Sequence, residues 1–132
     1  MYTNFFLFNL FYLDDTTRYH HFADSSNILV IQLKRFAVAH DLSIHKSLSS
    51  VDFQQPLQLH VSERNTNSEI LITRNYILRA FIGHTGNLDS GHYTAHVKVR
   101  DMWYKCNDSA VTKVKSFKDV SKEAYLLFYA AV

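Results

Sequence analysis

The sequence predicts a mainly β fold of the α+β class, built on an antiparallel, meandering sheet. Three observations predict it. Short runs of branched and aromatic residues recur from Ile28 to Tyr129, several alternating with polar residues at period two. Only three glycines and one proline punctuate the 132 residues, so no linker or domain boundary stands out. No stretch carries the periodicity of a long amphipathic helix, so a layer to cover one face of the sheet is not provided for.

The elements are read in chain order. Phe5, Phe6, Leu7, Phe8, Leu10, Phe11, Tyr12 and Leu13 crowd into nine positions. This is short of the ~20 apolar residues of a membrane-spanning helix. It has the length of a signal-peptide core, yet no Lys or Arg precedes it and no small-x-small site follows. It is expected to be a buried strand or helix of a larger domain, or a misplaced start. Residues 14–27 are polar and mixed and read as a loop or frayed element.

Ile28-Leu29-Val30-Ile31 reads as a strand buried on both faces. It continues with Leu33 inward and Gln32 and Lys34 pointing the other way. After Pro56, Leu57, Leu59 and Val61 alternate with Gln58, His60 and Ser62, the pattern of a half-buried strand. Tyr76, Leu78, Ala80 and Ile82 are expected to share one face of the next strand, with Ile77, Arg79 and Phe81 on the other. Tyr93, Ala95, Val97 and Val99 alternate with Thr94, His96, Lys98 and Arg100. A turn near Asp101 leads into a strand from Met102 to Cys106. One helical turn is expected within residues 116–123, and a closing strand over residues 124–129.

Composition narrows the function classes. A chain 47% hydrophobic and 14% aromatic folds around a core. Fourteen basic against twelve acidic residues leave a net charge of +2, and the longest basic run is Lys34-Arg35. That balance gives no footprint for nucleic acid, and the heads of Lys34 and Arg35 are expected to reach water. Neither nucleic acid nor membrane is expected as a partner. The one cysteine, Cys106, can form neither an intrachain disulfide nor a zinc knuckle, which suits an intracellular protein of the cytoplasm or nucleus. No cofactor is expected.

Residues 83–108 carry the chemistry. Gly83-His84-Thr85-Gly86 leads through Asn87-Leu88-Asp89-Ser90 to Gly91-His92-Tyr93. Glycines at both ends would let the backbone approach a ligand, and His92 stands at a loop-to-strand junction. Asn107 and Asp108 close the strand after Trp103. A hairpin would bring Asn107 within ~3 Å of His92, in the cleft lined by residues 83–91. Thiol proteases need this pair: the imidazole takes the thiol proton while a carboxamide or carboxylate fixes its other nitrogen. The strand lengths on the two sides of Asp101 do not match, so a bulge or longer loop is expected to absorb the difference. His92 and His96 stand four apart as in a zinc helix, but the Glu is missing and the context is strand, so no metal site is expected.

Five segments together resemble one family. Ile28 to Phe36, with Leu33-Lys34-Arg35-Phe36, is similar to the LxLKRF strand of the ubiquitin-specific proteases, cysteine deubiquitinases of the ubiquitin carboxyl-terminal hydrolase type. Tyr76 to His84 resembles their YxLxAxxxH strand. Gly91-His92-Tyr93-Thr94-Ala95 resembles their catalytic-histidine box. Trp103 to Val111 is similar to WxxFNDSxV, and Ala124-Tyr125-Leu126-Leu127-Phe128-Tyr129 to their closing strand. Order and spacing match, and five boxes in order are far more specific than one. Residues 1–25 are unmatched; residues 26–132 resemble the C-terminal part of the domain.

The resemblance implies a palm-like sheet, the C-terminal half of a papain-like cysteine protease domain. It implies His92 as general base, Asn107 as the residue that orients it and Asp108 as a supporting carboxylate. Gly83, His84, Gly86, Gly91 and Tyr93 would border the ubiquitin tail. Ubiquitin or ubiquitin-conjugated proteins would be the partners, and the intact domain would hydrolyse isopeptide bonds at the ubiquitin C-terminus. Two departures stand out. The Asn/Gly-rich box with the nucleophilic Cys is absent, as are the family's paired CxxC motifs. Cys106 replaces the usual Phe and, by strand parity, should point away from Asn107 into the core. The chain is then a piece of a deubiquitinase, a catalytically dead ubiquitin-binding pseudoenzyme, or the product of an incomplete gene model.

Overall fold

The computed structural model describes Phe22 and residues 26–53, 56–65, 68–115 and 120–132. The apolar run from Phe5 to Leu13 and residues 116–119 lie outside them. The described residues form nine strands: β1 (Ile28–Gln32), β2 (Phe36–Val38), β3 (Ile44–Lys46), β4 (Leu57–Asn65), β5 (Ser68–Gly86), β6 (Gly91–Val99), β7 (Met102–Asn107), β8 (Ala110–Val114) and β9 (Ala124–Ala131). Residues 120–123 form hydrogen-bonded turns, with Glu123 and Ala124 N–H both donating to Val120 O at 3.0 and 3.1 Å.

Seven strands make one sheet in the order β1-β9-β5-β6-β7-β8, with β4 also on β5; β2 and β3 form a separate hairpin. Every strand pair is antiparallel. The 19-residue β5 is the axis. Its first half pairs with β4 up to Tyr76; its second half pairs with β9 on one side and β6 on the other. The run β5-β6-β7-β8 is the expected meander. The insertion of β9 between β1 and β5 is a long-range pairing that local pattern does not encode.

Two irregularities change which side chains are buried. Along β5 a register shift between Leu78 and Ala80 inserts one residue relative to β9. An extra residue reverses the alternation. Tyr76, Leu78 and Phe81 therefore all enter the core, where strict period two would place Phe81 opposite the other two. A second shift, between Ile82 and Gly83, does the same to β9, burying Ala124, Leu127 and Tyr129. These six residues join Leu29 and Phe53 in one cluster.

The burial of β6 is the reverse of a hydrophobic reading. Thr94 and His96 are buried, while Tyr93, Val97 and Val99 are exposed. Register explains it. His96 pairs with Phe81, so the two share a face, and their rings stack at 4.2 Å with an interplanar angle of 3°. The imidazole fills the core as a flat aromatic plate. The opposite face of β6, β7 and β8 then carries exposed Tyr93, Val97, Val99, Met102 and Val111. Among the described residues no element covers this side, in line with the lack of a helical layer in the sequence.

Other expectations need correction. Leu29 and Val30 are buried on both faces of β1, but Ile28 is half exposed because it opens an edge strand. Arg35 does not reach water: it is 3% exposed. Its guanidinium donates to the carbonyls of Ala124, Ser47, Ser49 and Ser121 at 2.5–3.1 Å. Burial pushes its pKa below the ordinary arginine value. A buried cation of this kind is tolerated because its donors are spent on carbonyl oxygens. Arg35 thereby ties the segment after β3 to the start of β9.

Candidate active site

The β5–β6 hairpin sets the site. Gly86 pairs with Gly91, and residues 87–90 are the whole loop, so Gly83 to Gly86 is strand, not loop. Asn87 closes the loop twice. Its N–H donates to Ser90 O at 2.9 Å, and its Oδ1 accepts from Ser90 N–H at 2.8 Å. Gly86 has φ 97°, and a Cβ there would lie 2.5 Å from Ser90 O. A Cβ on Gly91 would run into the His84 ring and lie 2.7 Å from Thr85 O. Both glycines are dictated by geometry.

His92 follows, opposite Thr85 and exposed to solvent. Ala95 pairs with Cys106, so Asn107 and His92 stand on the same face, with β6 running past the end of β7. The pairing of β6 and β7 has no register shift, and the turn is only Arg100 and Asp101, with Arg100 at φ 54°. The overhang of β6 therefore absorbs the length mismatch, in place of the expected bulge. It also lets the His92 ring reach back to Asn107.

The Nε2 of His92 lies 2.5 Å from Asn107 Oδ1. A carbonyl oxygen can only accept, so Nε2 carries the hydrogen. In the neutral ring the lone pair then sits on Nδ1, free to take a proton.

The residues expected to border the ubiquitin tail fall into two groups. Gly86, Gly91 and Tyr93 are exposed around His92, with the Tyr93 side chain on the opposite sheet face. Gly83 and His84 are buried beneath them, so His84 is not presented as a surface contact. Its ring lies 4.6 Å from Tyr93, 5.9 Å from Phe36 and 6.1 Å from Tyr125. Burial first, and the nearby Lys46 charge second, push its pKa below the ordinary histidine value. Asp108 occupies the β7–β8 turn at φ 50°, a conformation that Asp tolerates better than most residues. It is exposed, and among the described residues it has no hydrogen bond to His92 or Asn107. Cys106 points away from the His92 face, as parity required, but it is half-buried on the uncovered side and not in the core.

One contributor escaped the sequence reading. Lys46, at the end of β3, donates through Nζ to His84 O at 2.6 Å and Gly86 O at 3.2 Å. Nothing in its local pattern marks it, since the contact spans two separate sheets.

The residues matched by the family model described as ubiquitin carboxyl-terminal hydrolase are 17–129. The chain is 45% identical over 74 residues to ubiquitin carboxyl-terminal hydrolase 27 of Mus musculus, which covers 54% of this chain and 16% of that protein. It is 36% identical over 105 residues to ubiquitin carboxyl-terminal hydrolase 5 of Arabidopsis thaliana, covering 77% of this chain and 11% of that protein. The chain thus spans a small part of the relatives it matches. Among solved structures it is similar to the SAGA Ubp8/Sgf11/Sus1/Sgf73 DUB module bound to ubiquitin aldehyde. The TM-score is 0.66 at 30% identity, over 80% of this chain and 24% of that one. With the family model matching most of its length, the chain belongs to the ubiquitin carboxyl-terminal hydrolase family.

Proposed function

We propose that this chain is the palm-like, base-bearing part of a cysteine-type deubiquitinase that acts on the isopeptide bond at the ubiquitin C-terminus. The observation that carries the reading is the His92 Nε2 to Asn107 Oδ1 bond, which leaves Nδ1 as the basic nitrogen. A thiol supplied by another part of the domain would give its proton to Nδ1. The thiolate would then attack the carbonyl carbon, and the imidazolium would return the proton to the leaving lysine amine. Gly86, Gly91 and Tyr93 are the exposed residues that would border the ubiquitin tail. Asp108 would act at longer range, as a carboxylate beside the pair. The single cysteine is in keeping with a reducing compartment, cytoplasm or nucleus.

The chain alone is expected to lack hydrolase activity, because Cys106 is on the sheet face away from His92. A fluorogenic ubiquitin substrate and a cysteine-reactive ubiquitin probe should give neither turnover nor labelling. In parallel, adding the chain to isotope-labelled ubiquitin should shift the C-terminal tail resonances. Turnover abolished by Cys106→Ala would make Cys106 the nucleophile and overturn this assignment. Unshifted ubiquitin resonances would remove ubiquitin as the partner.

A further inference from the structure

Strand β9 begins at Ala124, which pairs with Gly83. Past that point no strand among the described residues pairs with the outer edge of β5. Glu123 O accepts from His84 N–H at 2.8 Å, the last backbone bond on this edge among the described residues. The next outward carbonyls are those of His84 and Gly86, and the Lys46 ammonium takes both, at 2.6 and 3.2 Å. Lys46 replaces a missing strand with one cation. Its own backbone is held, because the next residue, Ser47, exchanges bonds with buried Arg35. Ser47 N–H donates to Arg35 O at 2.6 Å, and Arg35 Nη1 donates to Ser47 O at 3.1 Å.

The carbonyls that Lys46 grips belong to the residues that set His92. Thr85, between them, pairs with His92, and Gly86 pairs with Gly91. The His84 ring occupies the space where a Gly91 side chain would be. We propose that Lys46 is a positioning residue for His92: by clamping His84 O and Gly86 O it holds the end of β5 in the place from which His92 reaches Asn107. The proposal rests on the reading of His92 and Asn107 as a working pair. Charge-assisted bonds to two carbonyls are among the stronger polar contacts available to a strand edge. Their loss leaves this hairpin end held, among the described residues, by β6 and by the single His84 N–H bond to Glu123 O.

The test reads the His92 imidazole directly. In full chain labelled with nitrogen-15 histidine, the hydrogen-bonded Nε2–H should give a downfield proton resonance, assigned by its loss in His92→Gln. Asn107→Ala should abolish it. Lys46→Met should also abolish it and raise amide exchange in residues 84–92 by about tenfold, with the β4–β5 hairpin unchanged. Lys46→Arg, which keeps the donors and the charge, should restore the resonance. Lys46→Gln is read alongside, in case Lys46→Met loosens the whole sheet. A resonance lost in Asn107→Ala but unchanged in Lys46→Met and Lys46→Gln overturns the clamp and leaves the pair intact. A resonance indifferent to Asn107→Ala overturns the pair itself, and the clamp with it.

Discussion

Replacing Phe81 with alanine is expected to destabilise the chain by about 3–5 kcal/mol, the range for truncating a fully buried phenylalanine. Phe81 is 0% exposed. Its ring lies 5.0 Å from Phe53, 4.2 Å from His96 and 6.0 Å from Trp103. These neighbours come from three segments, and a cavity among them cannot close without moving strands that are paired on both edges. Folded domains carry only about 5–15 kcal/mol in all, so this one change removes a large share. Urea unfolding of the variant against the parent measures it. A loss below about 1 kcal/mol would mean that the β5 bulge does not turn Phe81 inward.

Acid should weaken the fold through His96. The ring is wholly buried, and burial first, with the Lys105 charge second, lowers its pKa to about 4. In the unfolded chain it returns to about 6.5. Between those values the unfolded state binds more protons than the folded one, so stability rises with pH. The contribution is complete above pH 6.5, falls as pH drops, and levels off below pH 4. Across that window it amounts to about 3 kcal/mol. His84, also held below its ordinary value by burial, acts in the same direction. The control is His96→Phe, which keeps a flat ring against Phe81. Its stability should fall less between pH 6.5 and pH 4 than the parent's. Parallel slopes in the two proteins would show that His96 titrates as if in water.

Both predictions concern positions where the sequence was hardest to read. Strand existence was legible because apolar patterning is local: β4, the second half of β5 and β6 fall where the alternation lies, and β7 and β9 on runs of aromatic and branched residues. Phase was not. One inserted residue in β5 and another in β9 reversed the burial of everything beyond them, and no side-chain pattern announces a bulge. On β6 the chain buries Thr94 and His96 and exposes Val97 and Val99, because register with β5 outweighs hydrophobicity.

The pairing of His92 with Asn107 was legible because a single hairpin links them, and hairpin geometry follows from short-range turn residues. The roles of Arg35 and Lys46 were not. Each depends on contacts between segments far apart in sequence, and Arg35 in particular reads as a surface charge until its carbonyl partners are seen. Asp108 is adjacent to the pair in sequence, yet the β7–β8 turn leaves it outside the hydrogen bond.

The proposed proton-accepting role of His92 is tested most directly by giving it a thiol. Residues 26–132 can be fused behind the Cys-bearing N-terminal part of a related ubiquitin carboxyl-terminal hydrolase and the chimera assayed on a fluorogenic ubiquitin substrate. Turnover is expected. His92→Gln should lower kcat by about 100- to 10,000-fold, the usual worth of a positioned general base, with little change in KM. Asn107→Ala should lower it by a smaller factor. An active chimera whose kcat survives His92→Gln would contradict the assignment, and so would a folded chimera that binds ubiquitin without turning it over.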